Sequence, residues 1–138
     1  MHKKIEFSTL FVLIIFAFFC SLIIGSSWDE FFEMKMGKER LKYLFSFGSY
    51  KSFDFYNSRF YPGFYNTLAI FFSKMLPQKF EIEVWHLTNC IFSILAIFGI
   101  SKISSVLFNK KIGKIVFLLS FLNPIFFGHM AMNPKDTI

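Results

Sequence analysis

Two acidic positions stand just outside the most apolar stretches of the chain. Asp29 and Glu30 follow the first stretch, and Asp136 follows the last, within Asn133-Pro134-Lys135-Asp136. Carboxylates that meet can take a proton from an attacking group or hold a hard cation. Each of these residues also has a purely local reading. Ser27-x-x-Glu30 matches a capping box, and Asp29 favours the positive end of the helix that would begin there. Asp136 can start a turn after Pro134. His129 reads as an interfacial histidine bonded to backbone, and Lys135 as a side chain that snorkels to water along its aliphatic stem. Glu33, Glu39, Arg40 and Lys42 read as a solvated helix face.

The elements that position these residues are legible in the charge spacing. No Asp, Glu, Lys or Arg occurs in residues 7–28, 84–101 or 115–134, runs of 22, 18 and 20 residues. A bilayer core takes about 20 apolar helical residues to cross. Only 17% of the 138 residues are charged, mean hydropathy is +0.50, and the 23 Phe exceed what one water-exposed domain of this size would bury. An average soluble domain carries about 25% charged residues. These features predict an all-α, polytopic membrane protein and exclude a disordered or acidic chain. The net charge of +6 does not point to nucleic acid, because the basic residues form no continuous stripe or binding module.

Three spans are expected, over residues 7–25, 84–101 and 115–129. A fourth apolar stretch, residues 60–73, is free of charge for 14 residues. It would reach only about 21 Å of a core of about 30 Å. A short helix lying at the interface suits it better. The positive-inside rule agrees with three spans. The N-terminus and the connection holding Lys102, Lys110, Lys111 and Lys114 then share the cytoplasmic side. Residues 26–83, with eight Lys or Arg against seven Asp or Glu, face outward as a long first outer loop. This topology brings Asp29-Glu30 and Asp136 to one face of the membrane; a four-span topology would separate them.

The outer loop reads as two juxtamembrane helices, at about residues 28–47 and 62–76. The first is weakened at Gly37 and followed by a turn over residues 48–52; the second starts at Pro62. Trp28, Phe31, Phe32, Leu41, Tyr43, Leu44 and Phe45 give the first helix a greasy aspect suited to the headgroup layer. Cys20 and Cys90 lie inside apolar runs and read as small lipid-buried side chains rather than a disulfide or metal pair. The first span reads as an uncleaved signal anchor, because bulky Ile23 and Ile24 stand where a cleavage site needs small residues.

Several of these motifs carry a resemblance. Trp28-Asp29-Glu30 directly after the first span resembles the first-loop acidic motif of the GT-C glycosyltransferases. These polytopic enzymes use polyprenyl-phosphate sugars and include the dolichyl-phosphate-mannose-protein mannosyltransferases. Tyr61-Pro62-Gly63-Phe64-Tyr65 resembles the start of their juxtamembrane helix. Residues 122–136, from Leu122-Asn123-Pro124 through Phe126-Phe127-Gly128-His129 to Asn133-Pro134-Lys135-Asp136, are similar to a run at the end of the third span in bacterial members. Two departures concern substrate detail: Phe31 and Phe32 follow the acidic pair where relatives place His or Tyr, and Met130 stands where Ser is common. Family members continue through many further spans, so the resemblance implies the N-terminal portion of such an enzyme, inactive in isolation.

The resemblance implies transfer of a sugar from a polyprenyl-phosphate donor to a protein, lipid or glycan acceptor at the outer face of a cell membrane. Asp29 is the implied base or acceptor-orienting group, with Glu30 assisting. His129, Asn133 and Lys135 are implied on the substrate side. Asp29 and Asp136 are implied to hold a divalent metal, Mg or Mn, against the leaving phosphate. The expected partners are therefore the lipid-linked donor and the membrane lipid. A competing reading from the length and the missing Arg cluster is a non-enzymatic membrane subunit or assembly protein.

Overall fold

The computed structural model of the chain describes residues 2–50 and 63–132. Among the described residues every element is helical and no strand occurs. The order is α1 (His2–Ile23), α2 (Trp28–Phe45), α3 (Phe64–Ser73), a 3-10 turn (Gln78–Phe80), α4 (Glu81–Leu107), α5 (Lys110–Phe121) and α6 (Pro124–His129). Two segments are helical, long and apolar enough to cross a membrane, Glu6–Ile23 and Gln78–Leu107.

The third apolar run differs from the single helix expected for it. α5 ends at Phe121, and Asn123 then caps a new helix by accepting from the backbone N–H groups of Ile125 and Phe126, with Pro124 in its first turn. Proline has no N–H to continue α5, and Asn followed by Pro is a strong helix start. α5 nevertheless packs along α4, and the chain returns to α4 at the end of α6. Gly113 packs near Ser101, whose hydroxyl donates to the Gly113 carbonyl at 2.8 Å. At the far end Ser93 donates to the Met130 carbonyl at 3.2 Å. The rings of Phe98, Phe117, Phe121 and Phe127 follow one another at centroid spacings of 4.9–5.8 Å between these points.

α1 lies antiparallel to α4. Its Glu6 pairs with Lys114 at the start of α5, and its Ser21 carbonyl meets His86 near the start of α4. Ala17, Cys90, Ile94, Ile97, Phe117, Phe121 and Met130 form the core among α1, α4, α5 and the segment after α6. The outward sides are apolar: Phe7, Val12, Phe19 and Ile23 on α1 and Leu95, Ile103 and Val106 on α4 are exposed. Ser21, His86, Asn89 and Ser93 are buried. Exposed apolar faces this extensive exceed those of an ordinary water-soluble monomer.

α2 and α3 form a layer over the first part of α4. Met34, Ala69, Ile70 and Trp85 are the core of this layer. Glu81 joins its edges, 2.8 Å from Lys38 and 3.9 Å from Lys74. α2 runs unbroken through Gly37, where a weak point was expected. Gly37 is there for packing: a Cβ at this position would press into the Asn66 carbonyl oxygen and the Ile70 side chain of α3. Gly37→Ala is therefore expected to cost about 1–3 kcal/mol by forcing α2 and α3 apart. It would show as a lower Tm of the detergent-solubilised chain, and an unchanged Tm would refute the close approach. α2 ends at Phe45, two residues short of the expected end, and Phe47 and Gly48 turn the chain with φ of 50° and 85°. The expected start of the next helix at Pro62 lies outside the described residues; α3 itself begins at Phe64.

Candidate functional site

Ser27 enters α2 in extended conformation and its backbone N–H donates to Glu30 Oε2 at 2.9 Å. This is the carboxylate arm of the capping box that the sequence indicates. The other oxygen of the same carboxylate, Oε1, lies 3.1 Å from His86 Nε2. His86 Nδ1 lies 3.1 Å from the Ser21 carbonyl. Both side chains are 1% exposed. One contact chain thus ties the end of α1, the first turn of α2 and the second turn of α4.

Asp29, one residue earlier, is exposed. Consecutive helical side chains diverge by about 100° around the axis, so when Glu30 points into the bundle Asp29 points away from it. The acidic pair is therefore divided. One carboxylate is enclosed with both oxygens engaged, and the other is accessible at the positive end of a helix.

His129 ends α6. Its backbone carbonyl accepts a long, 3.5 Å bond from the Asn89 amide, one turn along α4 from His86. Gly128, Met130 and Ala131 pass beside Ser21 and Cys90 and line, with them, a cavity of about 70 Å³. The segment leading to residue 133 therefore arrives at the same end of the helical bundle as Glu30. Asn133, Lys135 and Asp136, the remaining expected site residues, lie outside the described residues.

Of the two carboxylates expected to hold a divalent metal, Asp29 alone is described. No group of three His, Cys, Asp or Glu side chains gathers among the described residues.

Sequence reasoning passed over two groups. His86 is the first, and its signal was available: an ionisable residue within an apolar run is costly and is retained where it has a partner. Glu33 is the second. Expected on a solvated face, it is 2% exposed, because α3 and α4 cover that side of α2. Its charge, after burial as the larger cause, pushes the Tyr65 hydroxyl above its ordinary range. Tyr65 also packs edge-on to Trp85 at 5.9 Å. Glu39 and Arg40, expected on the same solvated face, are half-buried.

A groove of about 660 Å³ opens between the second half of α2 and the start of α3, lined by Arg40, Tyr43, Leu44, Phe64, Leu68 and Phe71 among others. Burial holds the Arg40 guanidinium below its usual value. Arg40 is about 16 Å along α2 from Asp29 at 1.5 Å per residue, and the groove lining includes none of Asp29, Glu30 and His86. The groove is thus separate from the carboxylate pair.

No protein-family model, curated protein or solved structure matches the chain.

Proposed function

We propose that the chain is a membrane-embedded part of a glycosyltransferase that takes its sugar from a polyprenyl phosphate, and that Asp29 receives the proton of the acceptor. The observation that carries this reading is the exposed Asp29 at the first turn of α2, directly after an apolar helix long enough to span a bilayer. A carboxylate there stands where a lipid-linked phosphate meets water. The acceptor hydroxyl or amine that attacks the anomeric carbon needs such a group within hydrogen-bond reach.

Two further features support it. The return of the chain after α5 brings the His129 and Met130 carbonyls against Asn89 and Ser93 of α4, in the half of that helix that holds the Glu30 partner His86. The exposed Trp28, Phe31, Phe64 and Phe72 give the α2–α3 layer an aromatic surface fitted to the headgroup zone. In this reading α1 and α4 span the bilayer, α5 and α6 together complete a third crossing, and the lysines at residues 102–114 lie on the cytoplasmic side.

The crossing number is tested by thiol labelling of intact cells. Cys20 and Cys90 are replaced by Ser, and single cysteines are placed by Trp28→Cys, Lys111→Cys and Asp136→Cys. Trp28 is 92% exposed. An impermeant reagent is expected to label positions 28 and 136 and to leave 111 unlabelled. Labelling of 136 only in permeabilised cells would put the acidic motifs on opposite faces and end the shared-site reading. The chemistry itself is tested by sugar transfer in native membranes carrying Asp29→Asn.

A further inference from the structure

The hydrogen-bond partners around His86 fix how many protons the buried site holds. The Ser21 carbonyl only accepts, so His86 Nδ1 must carry a hydrogen and donate it. The other ring nitrogen faces a carboxyl oxygen at 3.1 Å. A neutral ring and an ionised carboxylate would set two lone pairs against each other inside a site closed to water. One proton must therefore lie between them, on Nε2 or on Oε1. In either position the pair is neutral as a whole. The second carboxyl oxygen accepts from the Ser27 N–H in both cases. Every polar atom of the pair is then satisfied without a net buried charge, which is the condition for keeping such a pair.

We propose that Glu30 and His86 share this single proton and act as a positioning pair that sets Asp29 against the end of α1. The adjacent carboxylates would then have different roles: Asp29 meets the acceptor, and Glu30 holds the first turn of α2 in register with α1 and α4. The catalytic consequence rests on the glycosyltransferase reading; the pairing does not. Displacing a reacting group by about 1 Å costs on the order of 10²-fold in rate, so loosening this turn reaches the chemistry without contact to substrate.

An amide distinguishes positioning from catalysis. In Glu30→Gln the side-chain NH₂ donates to His86 Nε2 and the amide oxygen accepts from Ser27, so the shared proton is replaced by a permanent N–H. A glutamine cannot take a proton from an acceptor. Tm of the detergent-solubilised full chain and sugar transfer in native membranes are measured for Glu30→Gln, Glu30→Ala, His86→Ala and the double alanine variant. Glu30→Ala and His86→Ala are each expected to lower Tm by about 5–10 °C and kcat by roughly 10²-fold with KM little changed. The double variant should lose no more Tm than either single one. Glu30→Gln should recover most of both losses. Wild-type Tm with transfer lost 10²-fold or more in Glu30→Gln would make Glu30 catalytic and overturn the proposal. A Tm loss in Glu30→Gln equal to that of Glu30→Ala, or additive losses in the double variant, would remove the pairing itself. If Asp29→Asn retains transfer, the glycosyltransferase reading falls, while the Tm comparison still decides the pair.

Discussion

Asp29→Asn is expected to lower sugar transfer in native membranes by roughly 10²–10⁴-fold, the range contributed by one positioned acid or base. Asn has nearly the shape of Asp. The substitution removes the ability to take a proton and the charge that faces the start of α2. Asp29 is exposed, so its charge contributes to stability mainly through the end of α2, worth about 0.3–1 kcal/mol. A small change in Tm beside a large loss of transfer is therefore the expected pattern. The assay supplies a polyprenyl-phosphate-linked radiolabelled sugar and follows label into acceptor. Transfer at the wild-type rate would exclude Asp29 as the base and, with it, the proposed activity of this site.

Trp85→Ala should have the largest structural effect. Trp85 is fully buried and packs with Met34 of α2 and with Ala69 and Ile70 of α3. Removing a buried Trp side chain costs about 3–5 kcal/mol, the lost transfer energy together with the cavity left behind. The damage should be local. α1, α4 and α5 keep their own core around Ile94, Ile97 and Phe121, whereas the α2–α3 layer loses the apolar centre of its attachment to α4 and keeps the polar ties of Glu81 and His86. Limited proteolysis of the solubilised chain should then cut within α2 and α3 long before α4. Trp85→Phe keeps an aromatic ring against Tyr65 and should resist longer. Equal protection of α2 and α3 in wild type and Trp85→Ala would show that another contact holds the layer. His86 follows Trp85 directly, so full detachment would also withdraw the first turn of α2 from its clasp.

Residues in this chain differ in how far their roles could be read before folding. α1 and α4 follow from two long charge-free runs, because an apolar helix of that length is set by side chains within the segment. The cap at Ser27 and Glu30 is equally local, four residues with defined hydrogen-bonding atoms. The break in the third run was also legible, in Asn123 followed by Pro124, but counting apolar residues passes over a capping signal. Gly37 was misjudged for another reason. Its low helix propensity is intrinsic, whereas its use is to admit the Asn66 carbonyl, which lies 29 positions along the chain.

The helical class, the apolar outer surface of α1 and α4 and the start of α2 follow from composition, charge spacing and short-range hydrogen bonding. The division of labour between Asp29 and Glu30 does not. It depends on His86, 56 residues from Glu30, arriving opposite the inward carboxylate while Ser21 presents a carbonyl on the other side of the ring. The burial of Glu33 likewise depends on which face of α2 the later helices cover. Propensity and hydropathy act within a few residues. The protonation and partner of a buried carboxylate depend on groups brought together by packing, and these fall into register only when α1, α2 and α4 meet.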